Sequence, residues 1–259
     1  MNPELSIAAL MPQLAAFIWP LSRVAGIFMI APVLGSQLAP MRIRAAAAVA
    51  ISLALLPNLP PLPQVDPFSA EGLLILANQI LIGLLMGFVL QMVFAALMVA
   101  AEQVSMAMGL GMAQMTDPQN GTSVPVIGQI QLVVATLLFL SLNGHHALIY
   151  LVSESFHSLP IGPRGLSPEG LWSIIGFSSQ VFSDALRLAL PAVTALLATN
   201  MAMGVITRSA PQMNLFSIGL PVTTMLGLGV LWVQVDGSVD LFGRLIEKAL
   251  DALALGLSF

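Results

Sequence analysis

Few side chains in this sequence could do chemistry, and their spacing limits what that chemistry is. Asp184 and Arg187 stand three residues apart, so one helix face brings them together as an ion pair. Arg23 interrupts an apolar stretch and has no local counter-charge. An unpaired charge at mid-membrane costs at least about 2.5–3.5 kcal/mol on insertion scales. Arg23 therefore either serves an intersubunit salt bridge or polar path, or lies near the membrane interface and snorkels. His145 and His146 are adjacent. On a helix they point about 100° apart, unlike the i, i+4 pair of helical zinc sites. His157 lies in a polar stretch. No carboxylate pair, Ser/His/Asp set, Gly-x-Ser-x-Gly or phosphate-binding Gly-Lys-Ser/Thr loop has motif spacing. The sequence predicts no enzyme, no cofactor and no metal centre.

The sharpest feature is the stretch 102–123, EQVSMAMGLGMAQMTDPQNGTS. Met106, Met108, Met112 and Met115 alternate with Gly109 and Gly111, and Asp117-Pro118 with Asn120-Gly121 is turn chemistry. Methionine fills irregular gaps, and glycine permits bending and close approach. Together they suit a deformable apolar constriction that seals a pore and yields to a passing chain. The plainer alternative is a loop packed in a Met-rich core.

The elements that must position these residues are apolar. The chain has 259 residues, 58% hydrophobic and 8% charged, with mean hydropathy +0.95. An ordinary soluble domain carries about 25% charged residues, so this chain needs lipid or a large apolar assembly around it. The net charge is −4 and no basic run is present, which argues against nucleic-acid binding. There is no Cys, so disulfides and thiolate metal sites are excluded. The N-terminal MNPELSIAAL lacks a basic region and a cleavage site, and reads as a retained first segment.

Uncharged runs divide the chain: 5–22, 24–41, 45–65, 72–101, 124–153, 188–207 and 209–235. About six helical spans of roughly 20 residues fit. The fold class is all-α, a multi-span membrane protein with kinked helical hairpins. Pro57, Pro60, Pro61, Pro63 and Pro67 make 56–71 extended. Pro20, Pro32, Pro125, Pro191 and Pro221 fall inside apolar runs, where each favours a kink or break. Gly83 and Gly87 form a small-xxx-small helix contact. The stretch 241–257 is amphipathic and reads as a surface or partner-binding helix. Loop cations divide evenly, Arg42, Arg44 and Arg208 against Arg164, Arg244 and Lys248, so the positive-inside rule gives no orientation.

Three stretches together resemble the FliR family of flagellar type III export-gate proteins, whose virulence counterparts are the SctT proteins. They are MGLGMAQMTDPQNG within 102–121, LFLSLNGHHALI at 138–149, and RSAPQMNLFSIGLPVTTMLGL at 208–228. The resemblance spans essentially the whole chain. It implies assembly with FliP and FliQ into a gated channel for unfolded flagellar proteins. It further implies association with FlhB and FlhA, and an ATPase elsewhere in the machine. The implied place is the bacterial inner membrane at the flagellar basal body, projecting to the periplasmic side. The implied domains are a FliP-like part over 1–170 and a FliQ-like hairpin with an amphipathic helix over 171–259. Met106, Met108, Gly109, Gly111, Met112, Met115, Asp117, Pro118 and Gly121 match the family's pore plug. Asn143, Gly144 and His145 match its NGH stretch. Pro211, Asn214, Phe216, Gly219 and Pro221 match its C-terminal motif. These last two groups, with Glu102, Asp184 and Arg187, are expected at helix breaks and subunit contacts. Leu220 stands where many relatives are expected to carry an aromatic. A small-solute secondary transporter remains as a rival, with Asp184, Arg187 and Asn200 as its candidate site.

Overall fold

The structure is a computed structural model that describes residues 7–35, 39–63, 65–111, 114–116, 123–163, 165–209 and 219–257. Among these, the helices are α1 (Ile7–Ile30), α2 (Met41–Leu55), α3 (Ala70–Ala107), α4 (Val126–Ser141), α5 (Gly144–Ser158), α6 (Pro168–Ser209), α7 (Leu220–Val233) and α8 (Val235–Leu257). A short antiparallel ribbon, β1 (Gln114–Thr116) with β2 (Ser123–Pro125), sits between α3 and α4. The all-α expectation holds, with this ribbon as its one addition among the described residues.

The two long helices start alike. Ser69 Oγ accepts from the Gly72 amide at 3.0 Å, and Ser167 Oγ accepts from the Gly170 amide at 3.0 Å. Each serine satisfies an amide of the first turn. Glu71 and Glu169 add negative charge at the positive end of the helix dipole. The 38 residues of α3 extend about 57 Å and the 42 of α6 about 63 Å at 1.5 Å per residue. Both exceed a hydrocarbon core of about 30 Å, so each must tilt steeply or project beyond the bilayer.

Proline acts mostly at boundaries. Pro32 follows the end of α1, Pro125 precedes α4, and Pro221 is the second residue of α7, where a missing N–H costs nothing. Pro20 and Pro191 stay inside α1 and α6. Shortly before Pro191, Gln234 Nε2 donates to the Leu188 carbonyl at 3.1 Å. The proline-rich stretch opens with a 3₁₀ turn, Leu56–Asn58, before it extends. By length and apolarity, three helical stretches among the described residues can cross a membrane: Met41–Asn58, α3 and α6. The number rises to five if the broken pairs α4–α5 and α7–α8 each count as one span. The sixth expected span falls on α1, 24 residues long, of which the apolar part Phe17–Ile30 has described side chains.

Contacts group the chain into two compact units. The first comprises Met1–Gln91, Asn143–Phe177 and Lys248–Phe259, and the second Met92–Leu142 and Ser178–Glu247. In the first unit α1 and α3 meet backbone to backbone. A Cβ on Gly26 would lie 2.7 Å from the Ile80 carbonyl oxygen, one on Gly83 would strike the Arg23 carbonyl oxygen, and one on Gly87 would lie 3.0 Å from the Ala31 amide. The small-xxx-small reading of Gly83 and Gly87 is thus realised within the chain. In the second unit Phe94 stacks edge-on against Phe139 and Phe242, with centroids 5.8 and 5.4 Å apart.

Arg23 neither snorkels nor awaits another subunit. It is fully buried in the first unit. Nε donates to Gln79 Oε1 of α3 at 2.8 Å, and Nη1 to the Ser155 carbonyl at 2.7 Å and Ser155 Oγ at 3.0 Å. Nη2 donates to the Leu159 carbonyl at 2.8 Å, and the guanidinium lies 4.2 Å from the Phe156 ring centroid. The Ser155 and Leu159 carbonyls belong to the C-terminal end of α5, where the helix dipole is negative; the Ser155 carbonyl also accepts from the Leu159 amide at 3.0 Å. Arg23 thereby ties α1 to α3 and caps α5.

The fork geometry predicts the order of substitutions. Arg23→Lys keeps the charge but cannot reach all these acceptors. Arg23→Met removes the donor facing Gln79 Oε1 and the Leu159 carbonyl, at about 1 kcal/mol or more each, while Ser155 keeps its bonds to the Leu159 amide and the Val152 carbonyl. Both variants should lower the unfolding midpoint in detergent, and Arg23→Lys at least as far as Arg23→Met. A lysine variant close to wild type would mean that charge alone, and not the fork, matters.

Candidate functional site

The site grows from the end of α3. There the Gly109 amide bonds to the Met106 carbonyl at 3.0 Å and the Leu110 amide to the Ser105 carbonyl at 3.0 Å. With Gly109 at φ +81° this is a Schellman cap, whose left-handed residue is glycine for want of a Cβ clash. The glycine in the Met/Gly run therefore stops a helix at a defined place. Asn200 of α6 reinforces the stop by donating Nδ2 to the Ala107 carbonyl at 2.9 Å. Thr223 of α7 donates Oγ1 to the Met108 carbonyl at 3.2 Å.

Alternate methionines take opposite roles. Met108 is fully buried among Ala101, Val104, Ile127, Ala192 and Leu196. A Cβ on Gly227 of α7 would lie 2.6 Å from its Sδ and 2.7 Å from its Cε, so Gly227 exists to admit Met108. Met106 is 56% exposed. Between them opens a cavity of about 220 Å³ lined by Met106, Met108, Gly109, Met203, Gly219 and Leu220, with Asn200 and Thr223 as its polar edge. Beyond it the chain turns at Gly111 and enters β1, where Met115 stands opposite Val124.

The sequence-predicted residues divide by place. Met106, Met108, Gly109 and Gly219 converge on that cavity. Gly111 follows and is half-buried, and Pro221 opens α7. Met112, Asp117, Pro118, Gly121, Pro211, Asn214 and Phe216 lie outside the described residues. Glu102 is half-buried on α3. In the first unit Asn143 is the exposed N-cap of α5 in the left-handed conformation, φ 56°, followed by buried Gly144. This is the helix break expected there. His145 stacks on His146 with centroids 4.1 Å apart. On α6, Asp184 and Arg187 pair at 3.6 Å, with the Arg187 side chain 77% exposed. Among the described residues no three His, Cys, Asp or Glu side chains gather as metal ligands.

Met203, Thr223 and Gly227 escaped sequence reasoning. A signal for Met203 was present, because Met201–Gly204 duplicates Met-Ala-Met-Gly at Met106–Gly109. Asn200, a candidate for a solute site, has its amide engaged in the α3 cap.

Helices of this length and apolarity, with exposed apolar faces and a methionine-lined helix end, define a multi-span membrane protein. Residues 14–249 match the family model described as "Bacterial export proteins, family 1". The "Flagellar biosynthetic protein FliR" of Escherichia coli (strain K12) is 39% identical over 215 residues, covering 83% of this chain and 82% of that protein. The proteins of the same name from Pectobacterium carotovorum subsp. carotovorum and Aquifex aeolicus (strain VF5) are 33% identical over 238 residues and 34% over 209. These alignments cover 92% and 79% of this chain, and 91% and 79% of the relatives. The chain belongs to the FliR family of bacterial export proteins.

The Met108–Gly227 contact predicts a size exchange. Gly227→Val overpacks the site, at about 1–3 kcal/mol, and Met108→Ala leaves a void, at about 2–5 kcal/mol. The double variant should be more stable than the sum of the two losses, read from unfolding midpoints. Strict additivity would show that the two residues do not meet.

Proposed function

We propose that this chain is a subunit of the flagellar type III protein export gate, assembling with FliP and FliQ into a gated channel for unfolded flagellar proteins. The observation that carries the reading is the root of the 106–121 segment. It is locked by Met108 and the Gly109 cap, while Met106 and the ribbon extend from that root, in a chain of an export family. Such an element can close a pore without losing its attachment when a chain passes. Association with FlhB and FlhA, placement in the inner membrane with projection to the periplasmic side, and the division near residue 170 belong to the same proposal. Membrane lipid or partner helices then cover the exposed apolar faces. The apolar window of α6 is 22% buried and that of α2 is 17% buried, against 61% for α3. A virulence SctT role rests on the same chemistry, and the flagellar names of the relatives favour the flagellar reading.

Two experiments test this. Co-expression with FliP and FliQ should give one mixed complex by intact mass, and removal of residues 112–124, which spares Met108 and the cap, should raise ion leakage through it. A chain that stays alone, or a shortened complex no leakier than wild type, would sink the reading. At α6, Asp184→Arg and Arg187→Asp should each lower co-purification with FliP and FliQ, and the double reversal should restore part of it. Full complex from both single variants would remove their assembly role.

A further inference from the structure

The tetrapeptide Met-Ala-Met-Gly occurs at Met106–Gly109 and again at Met201–Gly204. Both copies have the same burial. Met106 and Met201 are exposed, Met108 and Met203 are buried, and Met106, Met108 and Met203 line one cavity. Only the first copy ends its helix. Gly109 is left-handed and caps α3, whereas α6 continues through Gly204 to Ser209.

Among the described residues no packing contact calls for a glycine at 204. No atom of the described residues lies within 4 Å of where its Cβ would stand, and glycine inside a helix costs about 1 kcal/mol relative to alanine. The turn beyond it is a poor helix. Val205, Ile206 and Thr207 are β-branched and lose side-chain freedom there. Thr207 Oγ1 donates to the Gly204 carbonyl at 3.0 Å, and Ser209 Oγ to the Val205 carbonyl at 3.2 Å. Such back-bonds to carbonyls three and four residues earlier slightly destabilise a helix. One turn earlier α6 is held, because Asn200 is bonded to the Ala107 carbonyl.

We propose that Gly204 is a positioning residue at which α6 switches between the continuous helix and one that ends as α3 does, releasing Val205–Ser209. In the ended state the Gly204 amide bonds to the Met201 carbonyl and the Val205 amide to the Asn200 carbonyl, the counterparts of the bonds at Gly109 and Leu110. The switch lies beside the cavity that roots the 106–121 segment. Its link to export rests on the gate reading, whereas its existence does not.

Asparagine and alanine separate the switch from ordinary fraying. Asparagine tolerates the left-handed cap, and alanine is the better helix former. Hydrogen exchange of the Val205–Ser209 amides is read by mass spectrometry on the assembled complex for wild type, Gly204→Asn and Gly204→Ala. The same pair at Gly176, another α6 glycine with nothing within 4 Å, is the control. Helix propensity alone separates the two substitutions by about threefold. A left-handed cap should widen the gap at 204 to about tenfold or more, with Gly204→Asn near wild type. A ratio at 204 equal to that at 176 would overturn the switch. Secretion should be kept by Gly204→Asn and reduced by Gly204→Ala, and equal secretion from both would overturn the positioning role. The intact mass of the same samples reports separately on the gate reading.

Discussion

A helix that ends among apolar groups leaves backbone amides or carbonyls with no water to satisfy them. This chain meets that constraint with polar side chains lent by other helices, and much of its architecture follows. Arg23 of α1 supplies the C-terminal carbonyls of α5. Asn200 of α6 and Thr223 of α7 supply those at the end of α3. Each bond fixes where one helix stops relative to another, so helix termination and packing are a single problem here.

That use of polar residues explains why so few remain for chemistry. With 8% charged residues, a buried arginine and several amides already bind backbone. The Asp184–Arg187 pair is a different kind of feature: its arginine faces outward from an apolar helix, where an ion pair in water would add little. Its value depends on what surrounds it. The broad exposed apolar faces of α6 and α2 sharpen the point, since such area on a soluble protein would be an aggregation hazard.

The local features were legible in the sequence. Apolar runs gave the long helices, the Gly83/Gly87 spacing gave a close helix contact, and Asn143-Gly144 marked a break. What was not legible was distant. Arg23 meets Ser155, far along the chain, and no local pattern announces a carbonyl as the partner of a guanidinium. The stretch 241–257 reads as a surface or partner-binding helix, and its geometry is that of a surface helix: Leu241, Phe242, Leu245, Ile246 and Leu253 are buried by the chain itself, with Arg244, Glu247 and Asp251 exposed. Amphipathicity reports that a face is covered, not by what. Pro221 favours a kink or break, and it stands as the second residue of α7, a place that suits proline because its missing N–H is not needed there.

The methionine-glycine segment shows how composition can mislead about mobility. Methionine and glycine together suggest softness, yet Met108 is among the most enclosed side chains of its unit, and Gly109 defines a backbone bend by hydrogen bonds on both sides. A pore element of the kind proposed needs both a fixed root and a yielding tip. A root that yields would let the element drift into any nearby apolar surface, and a rigid tip would neither seal an irregular opening nor move aside. Placing the buried methionine two residues from the exposed one puts the boundary between them at the last turn of a helix, where 3.6 residues per turn turn neighbours i and i+2 to opposite faces. The two properties are therefore separated by helical geometry alone, and loss of the helix end would merge them.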